Sequence, residues 1–135
     1  MTSEKLTNYE INSACIDILT VARKLIESPS HWTQGALCRN RQGQQVSTNS
    51  DEAYCYCAQG AVIAVCDHKY VDHYTQLTGD HRLWNFLNRV SNKIYPEHGF
   101  LSVLNDFGSH KDVLEVYDRA IDILKKNIDS NINDI

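Results

Sequence analysis

The stretch YCYCAQGAVIAVC, residues 54–66, carries three of the five cysteines of this chain and decides how it is read. Either the thiols make a metal or redox site, or the segment is interior packing. Asp51 and Glu52 suit the positive end of a helix, so a helix is expected from about residue 50 to Cys66. Helical positions two apart lie about 200° around the axis from each other, so Cys55 and Cys57 could not then ligate one metal. No Cys-x-x-Cys pair is present to suggest zinc or a thioredoxin-like dithiol. Ala53, Cys57, Gly60, Ala61 and Ala64 instead form one stripe of small residues at helical spacing, with Gly60 as the point of closest approach for a neighbouring backbone. Tyr54, Ala58, Val62, Ile63 and Val65 cover the remaining sides, and a helix apolar nearly all round is a buried one. Cys57 is read as a small core residue. Cys55 and Cys66 are left unassigned.

Around this rod the rest of the chain reads as helices. Residues 8–27 follow a capping box, Thr7 with Glu10, and place Ile11, Cys15, Ile18, Leu19, Ala22, Leu25 and Ile26 at helical spacing before Pro29 stops the run. The turn Asn40-Arg-Gln-Gly43 lies between residues 36–39 and 44–47 and suggests a short β-hairpin over about 36–47. A helix over residues 80–94 presents Leu83, Phe86, Leu87, Val90 and Ile94; Pro96 and Gly99 end it. A last helix begins near Ser109, paired with Asp112 as a cap, and carries Val113, Val116, Ala120, Ile121 and Leu124. Residues 128–135 are expected to fray. The expectation is a mainly α fold, a compact bundle of about four helices around the small-residue helix at about 50–66, in a single globular domain over residues 1–135.

Composition narrows function by exclusion. The chain has 135 residues, 42% of them hydrophobic, and a formal net charge of −4. That weak acidity argues against nucleic acid as a partner, since such binders carry a basic face. No apolar run approaches the ~20 residues that cross a bilayer, and the start lacks the layout of a signal peptide. A cytoplasmic location, no membrane, reduced cysteines, no metal and no cofactor are therefore expected.

Candidate chemistry is sparse. Asp67–His68 and Asp72–His73 would bring His68 and Asp72 together on a helix, but no third ligand is placed, so a solvated helix end is the simpler reading. His31, His81, His98 and His110 fall near helix ends or loops. Phosphate loops, nucleophile elbows and zinc-protease helices are not found. Three short pieces stand out: HWTQGA (residues 31–36), CAQGA (residues 57–61) and NDF (residues 105–107). Trp32 needs a large pocket and an acceptor for its indole N–H. It is either a structural filler over Gly60 or a stacking residue in a ligand site, and Gln34 shares those alternatives. Asn105 and Asp106 either make a turn with nearby backbone or stand at the mouth of a cleft.

These three pieces, Trp32-x-Gln34-Gly35-Ala36, Cys57-x-x-Gly60-Ala61 and Asn105-Asp106 before a closing amphipathic helix, resemble a family of small uncharacterised domains from bacterial and phage genomes. The likeness covers about residues 19–123. Members usually carry Trp before the Asn-Asp pair, where this chain has Leu104. The resemblance implies no activity; a phage origin would favour a host-interaction protein. Three functions are compatible with the residues. The first is a non-catalytic binding protein, a phage or mobile-element accessory factor that binds and inhibits a host defence protein or sequesters a nucleotide-like ligand. Trp32, Gln34, Asn105, Asp106 and Trp84 would be its binding residues, and Tyr70, Tyr74 and Trp84 are expected as exposed aromatics. The second is a self-assembling module with Trp84 anchoring a homodimer. The third is a small hydrolytic or nucleotide-directed enzyme in which Asp106 tunes His110 as acid or base beside Gln34.

Overall fold

The computed structural model describes residues 6–69 and 82–135. Among the described residues five α-helices and two short strands follow one another as α1 (Asn8–Leu25), β1 (Cys38–Arg39), β2 (Cys55–Tyr56), α2 (Ala58–Lys69), α3 (Arg82–Ile94), α4 (Leu101–Phe107) and α5 (His110–Lys126), with 3₁₀ turns at Pro29–His31 and Ile132–Asp134. The fold is mainly α, as its periodicity leads one to expect. Helix α1 opens with the capping box: Thr7 Oγ1 accepts the Glu10 N–H at 3.1 Å and Glu10 Oε1 accepts the Thr7 N–H at 3.0 Å. Ser109 Oγ accepts the Asp112 N–H at 3.1 Å and starts α5 in the same way. The inner faces of α1, α2, α3, α4 and α5 contribute to one apolar cluster, in which Ile18, Leu19, Phe86, Leu87, Leu104, Tyr117 and Leu124 are fully buried. Helix α1 packs on α5 and α2, and α3 packs on α5.

The central segment differs from its expected form. The helix starts at Ala58, not near residue 50, and the residues before it are extended. Strand β2 pairs antiparallel with β1, Cys38 opposite Tyr56 and Arg39 opposite Cys55. Two further bonds lengthen the ribbon, Tyr54 N–H to Arg39 O at 2.9 Å and Cys57 N–H to Leu37 O at 3.1 Å. The physical reason lies in Tyr-Cys-Tyr-Cys itself. Tyr54 and Tyr56 are half-buried while Cys55 and Cys57 are buried, a period of two that fits a pleated strand and not a helix. Ala53 and Cys57 therefore leave the helical stripe, and Gly60, Ala61 and Ala64 alone represent it.

At residues 36–47 the turn closes as expected, with Asn40 Oδ1 accepting the N–H groups of Gln42 and Gln44 at 3.0 and 2.9 Å and Gly43 at φ +83°. An isolated bridge joins Arg39 to Gln45, but the ladder partner of Cys38–Arg39 is Cys55–Tyr56. The C-terminal segment also departs from expectation. Residues 128–135 are docked, not frayed: Asn12 Nδ2 donates to the carbonyls of Asn127, Ile128 and Ser130 at 2.7–3.2 Å, and Ile132 is buried. His68, Tyr70, Asp72, His73, Tyr74 and His81, named above, lie outside the described residues or have side chains that do. Among the described residues no helix is long and apolar enough to cross a membrane.

Candidate functional site

The three motifs meet at one side chain. Asn105, on the inner side of α4, is 1% exposed and uses both ends of its carboxamide. Its Oδ1 accepts the Trp32 indole N–H at 2.7 Å and the Ala58 N–H at 2.9 Å, and its Nδ2 donates to Thr33 O at 3.0 Å. The Ala58 N–H belongs to the first turn of α2, where helix donors have no partner of their own, so Asn105 caps α2 from another element. Trp32 is half-buried, its ring tilted by 45° against that of His110 with the centroids 5.2 Å apart. Leu104 is buried in the core, and the indole that holds Asn105 comes from Trp32, 73 residues away in sequence.

Gln34 and Asp106 close the clasp. Gln34 Nε2 donates to the carbonyls of Asn105, Asp106 and Gly108 at 3.0–3.3 Å, meeting acceptors that the end of α4 leaves open. Asp106 Oδ1 accepts the Gly35 N–H at 2.9 Å and the Asn105 Nδ2 at 3.2 Å. Gly60 is the point of closest approach, as its surroundings suggested, though the neighbour is not Trp32. A Cβ on Gly60 would lie 1.9 Å from the Leu37 carbonyl oxygen, so backbone, not an indole, occupies the groove.

A family model matches residues 12–123, which span every one of these contacts. The chain belongs to DUF6197, a family of unknown function. No curated protein and no solved structure matches it.

The clasp of this DUF6197 member borders a cavity of about 210 Å³ lined by Ala36, Leu37, Cys57, Gln59, Ser102, Asn105 and Asp106. Cys57 caps α2 with its thiol, Sγ accepting the Gly60 N–H at 3.3 Å. Burial pushes this thiol up from its ordinary value, against the pull of the Gly60 and Gln59 N–H groups, so it stays neutral. All five cysteines are buried and none forms a disulfide, and among the described residues no group of His, Cys, Asp and Glu is placed to hold a metal. Nearby, the fully buried Tyr117 donates its hydroxyl to Ala58 O at 2.6 Å, and burial raises its ionisation well above the usual value.

The other candidate residues lie elsewhere. His110 bonds Ile26 O through Nε2 at 2.6 Å; a carbonyl only accepts, so Nε2 carries the proton. Asp106 is held on Gly35 and Asn105, and no hydrogen bond joins it to His110. His31 Nδ1 donates to Tyr54 O at 2.7 Å. Trp84, on α3, is half-buried against the core cluster, not an exposed aromatic.

Sequence reasoning overlooked the outer side of α4. Phe100, Val103 and Phe107 are 64%, 36% and 77% exposed. At ~100° per residue they fall within one narrow arc, while Leu101, Leu104 and Asn105 occupy the buried one. Leu37, 44% exposed, lines the same small cavity as Ser102. The signal is the spacing Phe100-x-x-Val103-x-x-x-Phe107, which is too short to stand out as an amphipathic helix.

Proposed function

We propose that this domain is a non-catalytic binding protein that docks a protein partner on the outer face of α4, with Phe100 and Phe107 as anchors. The carrying observation is two large aromatic side chains, 64% and 77% exposed, on a helix whose other side is fully packed. Scattered exposed apolar residues are ordinary; an aromatic pair with Val103 between them on one arc is the pattern of an interface centre. The motif residues support the reading from the other direction. The Trp32 indole N–H, the Gln34 Nε2 and both ends of the Asn105 carboxamide answer groups of the chain itself, so they hold α4 in place instead of meeting a substrate. An accessory factor that blocks a host protein would need such a rigid, presented helix and no reaction.

The test compares purified wild-type protein with Phe100→Ser/Phe107→Ser as baits in lysate of the native host, each checked first for an unchanged thermal midpoint. A partner held by wild type and lost with the double variant supports the reading. Equal recovery by both baits, or no partner for either, overturns it.

A further inference from the structure

A second site lies away from α4. Helices α3 and α5 and the docked C-terminal segment line a half-open hollow of about 430 Å³. Its apolar lining comes from Phe86, Val90, Ile94, Ile123 and Ile135, and its charged lining from Arg89, Lys93 and Arg119. Three cations around one apolar hollow are unexpected in a chain of net charge −4. Arg89 has structural work: its Nη2 donates to Ile132 O at 2.6 Å, and its guanidinium lies 5.7 Å from the Phe86 ring centre. Lys93 and Arg119 are exposed and have no carboxylate partner among the described residues. The acids of α5 on the neighbouring turns are committed elsewhere, Asp118 to Arg23, Asp122 to Lys126 and Glu115 to the Tyr95 hydroxyl.

A hollow of this volume, mostly apolar with a few charged groups at one side, has the make-up of a small-molecule site. Two unpaired cations beside an apolar floor favour a ligand with one negative end and a hydrocarbon body. We propose that this cavity binds a small amphipathic carboxylate, its apolar body on Phe86, Ile94 and Ile123 and its carboxylate between Lys93 and Arg119. The site is separate from the α4 face, and either can fail without the other.

The test is a titration of the full chain with decanoate, below its micelle concentration, followed by NMR of isoleucine methyl groups; decanol and acetate are the controls. Decanoate is expected to shift the Ile94, Ile123 and Ile135 methyls saturably, with decanol at least tenfold weaker and acetate silent. Lys93→Gln/Arg119→Gln, both at exposed positions, should weaken decanoate tenfold or more and leave decanol unchanged. Ile94→Trp, which fills the hollow, should abolish both, while Phe100→Ser/Phe107→Ser should change neither. Equal binding of decanol and decanoate, an undiminished affinity in the glutamine double variant, or shifts confined to residues of α4 would each overturn the proposal.

Discussion

The two sides of α4 and its N-cap residue Phe100 have opposite fates. On the inner side, Asn105 meets the indole of Trp32, the first turn of α2 and the Thr33 carbonyl, while Leu101 and Leu104 are fully buried. On the outer side, Phe100, Val103 and Phe107 meet no part of the described chain that covers them. An uncharged carboxamide is inside beside the two leucines, while two large aromatic rings are outside, and for those three side chains this reverses the ordinary arrangement. A buried carboxamide is tolerated because each of its polar atoms has a partner. Exposed aromatics confer no stability on the monomer, which is why they point to an interaction. The inner side tells how the domain is built, and the outer side is where we propose that it docks a partner.

The comparison can be broken at its centre. Asn105→Leu strands the Trp32 N–H, the Ala58 N–H and the Thr33 carbonyl together; at 1–3 kcal/mol for each buried unpaired group, a loss of about 4 kcal/mol is expected in urea unfolding. A loss under about 1 kcal/mol would mean the clasp is not what holds α4. Next in size, Gly60→Ala places a methyl 1.9 Å from the Leu37 carbonyl oxygen, and the backbone must shift to admit it. Overpacking of this kind costs about 3 kcal/mol, read as a drop in thermal midpoint. Trp32→Phe keeps an aromatic ring near His110 but removes one donor to Asn105, for an expected cost of about 1–2 kcal/mol beyond any loss of packed area.

An alkaline titration sharpens the same contrast at smaller cost. The Cys57 thiol, ordinarily near 9.0, is raised by burial in the folded state, so above pH 9 the unfolded chain gives up its proton first. Folded stability is then full below pH 9 and declines as pH rises further, with Tyr117 adding to the decline in the same direction. Unfolding midpoints measured from pH 7 to 10.5 should fall only beyond pH 9; a midpoint that rises there would contradict a buried neutral thiol. The smallest effect belongs to the outer side. Phe100→Ser/Phe107→Ser should leave stability within about 0.5 kcal/mol of wild type. A loss of several kcal/mol would show that these rings are part of the fold and not of an interface.

Much of the architecture was readable before any coordinates. The α1 and α5 caps are local events, a hydroxyl and a backbone N–H three residues apart, and their signatures in Thr7–Glu10 and Ser109–Asp112 are short. Gly60 was legible as a contact point because a residue without a side chain among apolar neighbours implies close approach. The strand at Tyr54-Cys-Tyr-Cys was equally legible, since alternation of larger and smaller residues marks a pleat, but it was folded into the helix that follows it. The docked tail left a signal as well: Ile128, Ile132 and Ile135 recur at spacings of four and three, and Ile132 is buried.

By itself the sequence determined a mainly helical chain, its caps, the interior character of the segment around Gly60 and the weak acidity, all of which depend on neighbours within a few residues or on composition. Tertiary structure alone decided that Trp32, Gln34 and Asn105 answer one another, that α4 turns Phe100 and Phe107 outward, and that Lys93 and Arg119 share a hollow. Those pairings join residues 26 to 73 positions apart, and no local pattern encodes which distant group satisfies a donor or which face of a short helix finds the core.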